Sequence, residues 1–221
     1  MIVILDNLLN ASEVARLREM LATAQWHDGA KTAGWHARTV KINEQAGGPE
    51  LESARRLVGE ALGKNERFRA AVLPRNLTTI MFSRYKPGME YGTHVDDALM
   101  PAGPVRIRTD LAVTLFLSDL DSYVGGGLSI PGSHEGGIRL EPGSAVVYPA
   151  TSLHRVMPVE TGERLAAVFW VQSVVRDEAA RETLFDLAQA RRMIFEKEGK
   201  SPAFDLIAKS HANLLRRWAE V

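Results

Sequence analysis

The sequence predicts an α+β protein with a mainly β core, a double-sheet jelly roll flanked by N-terminal and C-terminal helices. Three observations predict it. Apolar side chains recur at helical spacing in the first third of the chain, at Val14, Leu17 and Leu21 and again at Leu51, Ala54, Val58 and Leu62. From Asn76 to Val175 the texture is of short apolar runs broken by Gly, Pro and Asp, with no helical stretch between them. After Val175 two helical patterns return, over residues 177–196 and 204–219, on either side of Gly199-Lys-Ser-Pro202.

At 221 residues the chain can bury a full core in one domain with helical additions. Three regions are expected: a supporting region over residues 1–77, the β core over 78–174 and a helical extension over 175–221. Lys plus Arg and Asp plus Glu number 27 each, so nothing in the net charge calls for nucleic acid or an anionic membrane as a partner. There is no cysteine, which excludes disulfides, thiolate metal sites and cysteine nucleophiles. Any metal must therefore be held by His, Asp or Glu. Met1-Ile-Val-Ile-Leu-Asp6 lacks the basic start and long apolar run of a signal peptide. No stretch approaches the roughly 20 apolar residues of a membrane span. A soluble cytoplasmic protein is the expectation.

Taken in order, residues 2–5 are the first expected strand, and Ser12 is the expected N-cap of the first helix. A Gly-containing loop over 26–35 leads to Arg38-Thr-Val-Lys-Ile-Asn43, whose alternation predicts a strand. Gly47-Gly-Pro49 breaks the chain before the second helix. These first elements read as a scaffold covering one face of a sheet. In the core the expected strands are 77–85, 110–117, 128–130, 137–140, 144–148, 154–157 and 164–172. Turn residues at 119–121, Gly125-Gly-Gly127, Pro142-Gly143 and Thr161-Gly162 separate them. The last two helices read as a packing appendage or a homo-oligomer contact.

The chemistry concentrates in two stretches. Tyr85-Lys-Pro-Gly-Met-Glu-Tyr91-Gly-Thr-His94-Val-Asp96 sets an imidazole and a carboxylate two residues apart, on one face of an extended segment. Tyr148-Pro-Ala-Thr-Ser-Leu-His154 supplies a second imidazole, and Arg164 follows on the next expected strand. Two His and one carboxylate are the ligand set of the facial triad that holds non-haem Fe(II) with open positions. A planar guanidinium such as Arg164 can grip a carboxylate through two parallel hydrogen bonds. Other polar groups invite less. His134 sits on a Gly-rich loop, His27 and His36 lie beside Trp26 and Trp35, and Arg106 and Arg108 have Asp97 and Asp110 near them in sequence.

Tyr91-Gly-Thr-His94-Val-Asp96, Arg108-Thr-Asp-Leu111, Thr114-Leu-Phe-Leu-Ser118, Tyr123-Val-Gly-Gly126, Tyr148-Pro149, Ser152-Leu-His-Arg-Val156, Pro158-Val159, Gly162, Arg164 and Phe169-Trp170 together carry a resemblance. The chain resembles the Fe(II)- and 2-oxoglutarate-dependent dioxygenases, and within them the bacterial PKHD-type hydroxylases, relatives of the prolyl and lysyl hydroxylases. The resemblance covers residues 78–174 and continues more faintly through 181–186 and 213–219. The chain departs from the family pattern at Gly127, where an acidic residue is usual, and at His211-Ala-Asn213.

The resemblance implies a double-stranded β-helix core with His94, Asp96 and His154 as iron ligands and Arg164 as partner of the distal carboxylate of 2-oxoglutarate. Tyr85, Tyr91 and Thr114 would add hydrogen bonds in the pocket or simply fill the core. No catalytic side chain beyond the metal centre is implied. The implied cofactors are Fe(II), 2-oxoglutarate as co-substrate, O2 and L-ascorbate as reductant. The reaction would couple decarboxylation of 2-oxoglutarate, giving succinate and CO2, to hydroxylation of an unidentified protein or small molecule, a peptidyl side chain by analogy. Two other readings use the same residues: a cupin-like protein that senses iron or 2-oxoglutarate without chemistry, and a zinc hydrolase acting through a bound water.

Overall fold

A computed structural model describes residues 1–220, and of Glu50 the backbone alone. The strands are β1 Val3–Leu5, β2 Gln25–Asp28, β3 Lys41–Ile42, β4 Glu44–Gly47, β5 Pro74–Leu77, β6 Met81–Tyr85, β7 Glu90–His94 and β8 Leu99–Ala102. They continue with β9 Val105–Arg108, β10 Leu111–Phe116, β11 Tyr123–Gly125, β12 Leu128–Ser129, β13 Ala145–Pro149, β14 His154–Val156, β15 Val159–Gly162 and β16 Arg164–Ser173. Five α-helices frame them: α1 Ala11–Ala22, α2 Glu52–Lys64, α3 Glu66–Val72, α4 Glu178–Glu198 and α5 Pro202–Trp218.

A larger sheet runs in the order β1-β13-β10-β16-β6-β4-β2, with β5 also paired to β16. A smaller sheet runs β12-β14-β7-β3. Every pairing between named strands is antiparallel, as the jelly-roll expectation requires.

Period-two alternation in β16 shows how the layers form. Leu165, Ala167, Phe169 and Val171 join a core shared with Leu17 and Leu21 of α1, Val58 and Leu62 of α2, and Phe68 of α3. On the other face, Arg164, Val168 and Trp170 line a cavity between the sheets. Tyr85, Phe116, Val146, Tyr148 and Val156 form a second apolar cluster around that cavity.

Several elements differ from the sequence expectation. The first helix is capped by Asn10, not Ser12: Asn10 Oδ1 accepts from the Glu13 backbone N–H, and Glu13 Oε2 accepts from that of Asn10, a reciprocal capping box. Ser12 lies inside the first turn and donates to Asn10 Oδ1. Within 26–35, expected as a loop, β2 pairs with β4, and a short 3-10 helix covers Gly29–Thr32. Residues 38–40, expected to open a strand, lie in a second 3-10 helix over Ala37–Val40. Around 137–140 only a bridge between Leu128 and Ile138 forms. Helix α3, the β8–β9 hairpin, β11 and β15 were not anticipated.

At the C-terminus, α4 and α5 form a hairpin in which Leu214, Leu215 and Trp218 of α5 pack against Val175 and against Ala180 and Leu184 of α4. Arg108 ties this end down, bonding Asp110 through two nitrogens and Glu220 through the third. No helix among the described residues is long and apolar enough to cross a membrane.

The capping box predicts that Asn10→Ala costs about 1 kcal/mol of stability, whereas Ser12→Ala changes it by under about 0.5 kcal/mol. Urea midpoints of the two variants check this, and the reverse order would return the cap to Ser12.

Candidate metal centre

The antiparallel register of β7 against β14 sets His94 directly opposite His154. Their ring centroids are 4.3 Å apart. Strand β7 ends at His94, so Asp96 lies two residues past the strand and not on a shared strand face as the sequence spacing predicts. The chain nonetheless turns its carboxylate between the two rings. His94 Nε2 is 3.9 Å from Asp96 Oδ1, and His154 Nε2 is 3.8 Å from Asp96 Oδ2.

The backbone chooses which ring nitrogen is free. His94 Nδ1 is 2.8 Å from the Gly92 carbonyl and His154 Nδ1 is 3.0 Å from the Ser152 carbonyl. A carbonyl oxygen only accepts, so each Nδ1 carries the proton and each Nε2 keeps its lone pair for a ligand. The Tyr91 ring stacks on His94 at 3.6 Å between centroids and holds the imidazole plane.

Electrostatics favour the same state. Burial, and then the neighbouring His154, lower the His94 pKa to about 3, so its imidazole is neutral at any physiological pH. Burial raises the Asp96 carboxyl, while His154 and the Trp170 indole oppose that rise. Asp96 Oδ2 is buried with no hydrogen-bond partner. A cation between the three groups would supply what this oxygen lacks. Two imidazole nitrogens and a carboxylate, with no thiolate anywhere in the chain, suit a ferrous ion. Among the described residues this is the one cluster of its kind.

A narrow cavity opens beside the triad. Arg164 lines it at 1% exposure, with Nε and Nη2 unpartnered. Its guanidinium lies between the rings of Tyr85 and Phe116, with centroids at 5.2 and 5.4 Å. Gly126, at φ +65°, admits the arginine stem: a Cβ there would stand 2.9 Å from Arg164 Cδ. Leaving a buried cation without a counter-charge is costly, so the site is shaped to receive an anion.

Tyr85, Tyr91 and Thr114 all line the same cavity. Burial raises the phenols of Tyr85, Tyr91 and Tyr148 above their ordinary values, keeping each a neutral donor. Sequence reasoning missed Lys41, Asn43 and Gln45, which enter the cavity from the region read as scaffold, and gave no role to Tyr148 and Trp170. The other candidates stand apart. His134 is exposed, Arg108 is engaged by Asp110 and Glu220, and Arg106 bonds the Leu99 carbonyl. The Trp26 ring faces Arg84, whereas Trp35 is 79% exposed.

A jelly roll with this triad and a buried arginine lining one cavity points to the class. The profile of the 2OG-Fe(II) oxygenase superfamily matches residues 80–172. The chain is 52% identical to a PKHD-type hydroxylase of Synechococcus elongatus and 49% identical to one of Crocosphaera subtropica, covering 100% of both chains in each case. It belongs to the PKHD-type hydroxylases of that superfamily, and is a dioxygenase acting with Fe(II), 2-oxoglutarate and O2. Solved structures share the fold. A prolyl hydroxylase of Trichoplax adhaerens, in complex with a hypoxia inducible factor peptide fragment, aligns with TM-score 0.53 at 16% identity, over 83% of this chain and 86% of that one. The viral collagen prolyl hydroxylase of Paramecium Bursaria Chlorella virus-1 aligns with TM-score 0.50 at 18% identity, over 78% and 96%.

The low proton affinity of His94 has a stability consequence. An unfolded histidine binds its proton near 6.5, but folded His94 does so only near pH 3. The unfolded state therefore binds more protons between those values, and the metal-free protein loses stability as pH falls through that window. Between pH 7.5 and 5.0 the wild type should lose up to about 2 kcal/mol more than His94→Gln, read by urea unfolding. Equal losses would place the acid sensitivity elsewhere.

Proposed function

We propose that His94, Asp96 and His154 hold the ferrous ion and that Arg164 anchors the distal carboxylate of 2-oxoglutarate in this hydroxylase. One observation carries the reading: an Asp96 carboxylate with an unpartnered oxygen, set against two Nε2 atoms, shares a cavity with an unpartnered, fully buried guanidinium. When bound, the ion would activate O2, the oxidant, and 2-oxoglutarate would be oxidised alongside the substrate: one oxygen atom would go to succinate as CO2 leaves, and the other to the substrate hydroxyl.

The chain's own groups bind, orient and shield. Arg164 Nε and Nη2 present two donors to one carboxylate, fixing both the position and the direction of the co-substrate. The neutral phenol of Tyr85, close to that guanidinium, and the hydroxyl of Thr114 are placed to donate to the same ligand. Tyr91 orients His94 by stacking. Phe116, Val156 and Leu128 keep water from the buried end, which strengthens every charge interaction there. No side chain is assigned as an acid or base.

The organisation follows from this site. Residues 78–174 form the dioxygenase core, residues 1–77 its support and part of its wall, and 175–221 a helical extension, of which Val221 lies outside the described residues. Met193, Phe195 and Leu206 are exposed on that extension, in keeping with a homo-oligomer through it. L-ascorbate is the proposed reductant, and a cytoplasmic setting accords with the cysteine-free sequence. A peptidyl side chain is the proposed substrate, by analogy with the prolyl hydroxylases of the same fold.

Anaerobic titration with Fe(II) and then 2-oxoglutarate tests the assignment through the visible charge-transfer band of the chelate. Arg164→Met should retain iron while its 2-oxoglutarate Kd rises about 100-fold, the scale of a lost charge-assisted pair. His94→Ala and His154→Ala should lose the iron. An unchanged Kd in Arg164→Met would move the anchor, and full iron affinity in the histidine variants would refute the triad.

A further inference from the structure

The segment Lys41–Gln45 is inside out. Lys41, Asn43 and Gln45 are buried at 7%, 4% and 6% exposure, while the intervening Ile42 is 52% exposed. An amphipathic strand ordinarily turns its apolar side chains inward, and burying polar groups costs free energy unless they are paired. Here three polar side chains line the cavity that holds the triad and Arg164.

Pairing is uneven among them. Gln45 is satisfied: its Oε1 accepts from the Thr32 hydroxyl at 2.6 Å, and its Nε2 reaches Ser83 Oγ at 3.5 Å. Lys41 Nζ donates to Thr32 Oγ1 at 3.0 Å and lies 5.1 Å from the Tyr91 ring centroid. An ammonium has three donors, so two remain. Among the described residues no carboxylate comes within 4.0 Å of it; burial lowers its pKa to about 8, against the pull of Asp96 and Asp28, so the ammonium is the main form at pH 7. Asn43 is less satisfied still. Its amide is sensed by the Tyr85 phenol, yet neither Nδ2 nor Oδ1 has a partner in hydrogen-bond geometry. Gly29 leaves room for this side chain, since a Cβ there would collide with it.

Charge sets what the subsite lacks. Resting on the triad and Arg164 assignments above, the ferrous ion and Arg164 balance Asp96 and the 2-oxoglutarate dianion. The Lys41 ammonium is then left without a carboxylate in contact, Asp28 acting on it only from beyond 4.0 Å. We infer that Lys41 and Asn43 form a specificity subsite for the hydroxylated substrate, taking a singly charged carboxylate on it. The two free ammonium hydrogens and the Asn43 amide match the oxygens of one carboxylate, and the Thr32–Gln45 chain holds the ammonium in position. The subsite defines a substrate class: a molecule with a carboxylate near the carbon that receives the hydroxyl, whether a free acid or an acidic side chain in a peptide.

The experiment uses the anaerobic protein loaded with Fe(II) and 2-oxoglutarate, in which no turnover occurs. Formation of the charge-transfer band in the wild type, and its dependence on Arg164, first checks the underlying assignment independently. Calorimetric titration then compares acetate, a terminally blocked Gly-Glu-Gly peptide and the blocked Gly-Gln-Gly control. At least one carboxylate probe should bind saturably and the neutral control should not. Acetate alone binding points to a free acid, and the Glu peptide binding more tightly points to an acidic side chain. In Lys41→Met and Lys41→Gln the carboxylate affinity should fall at least tenfold while the 2-oxoglutarate Kd moves less than threefold. The metal-free Lys41→Met protein should melt no lower than the wild type, because an unpaired buried charge is removed. With the band intact, the inference is overturned if neither carboxylate binds, if binding survives in the Lys41 variants, or if 2-oxoglutarate affinity falls tenfold with Lys41. A drop in Lys41→Met melting temperature of more than about 4 °C would also overturn it, by making Lys41 a structural group.

Discussion

The pairing of β7 with β14 is the constraint on which the site depends. It sets His94 opposite His154 across one antiparallel ladder, although the two histidines come from distant stretches of the chain. The register shifts between His154 and Val156, where a bulge inserts into the ladder. A slip by one residue would turn one imidazole to the other face of the sheet. The pairing also fixes the chemistry of the rings. Because the Gly92 and Ser152 carbonyls each face Nδ1, both Nε2 atoms are left facing Asp96. Backbone geometry thus selects the tautomer before any metal arrives.

The larger sheet contributes the second half of the site through a different constraint. Strand β16 has to satisfy two cores at once, and its alternation sends Phe169 and Val171 to the helices and Arg164 and Trp170 to the cavity. Arg164 pairs in register with Tyr85 and is packed by Gly126 from the side. The guanidinium is therefore held rigidly where water cannot solvate it. Such a group is poor for the stability of the empty protein and good for selecting an anion, since nothing else nearby competes for its donors. The same reasoning applies to the unpartnered oxygen of Asp96. The interior holds an acidic and a basic group, Asp96 and Arg164, whose buried polar atoms do not satisfy one another, and bound ligands would complete them.

How much of this was legible in the sequence depended on range. His94, Asp96, His154 and Arg164 stood out because their residue types carry chemistry and their flanking motifs set their surroundings. The central strands of the larger sheet were legible because β10, β13 and β16 are apolar runs between turn residues, whereas its edge strands β2 and β4 were not. Helix α1 was visible from its stripe, but its cap was not, because Asn10 and Ser12 are both competent caps and only the reciprocal bond with Glu13 decides between them. The β8–β9 hairpin was obscured by Pro101 and by side chains that alternate only imperfectly. Asp96 was placed on the strand because spacing by two is the only local rule available; the strand ends at His94 for reasons of long-range pairing.

Lys41, Asn43 and Gln45 were illegible for a more instructive reason. The run Arg38–Asn43 alternates, and alternation alone says that two faces differ without saying which is inside. Chemical prejudice assigns the apolar face to the core. Here Val40 and Ile42 remain solvent-accessible and the polar partners go in, because β3 pairs with β7 beside the metal centre and its inner face meets a cavity, not a hydrophobic layer. An inverted strand of this kind is stable only where the rest of the fold over-determines its position. β3 is held by Tyr91 opposite Lys41, and the following strand by the pairing of β4 with both β2 and β6. Local preference and global structure disagree here as they do at 26–35, and this disagreement falls on a wall of the cavity that holds the triad. Buried polar groups left short of partners are costly to folding, and a binding requirement on this wall, as inferred above, accounts for residue types that folding alone would not select.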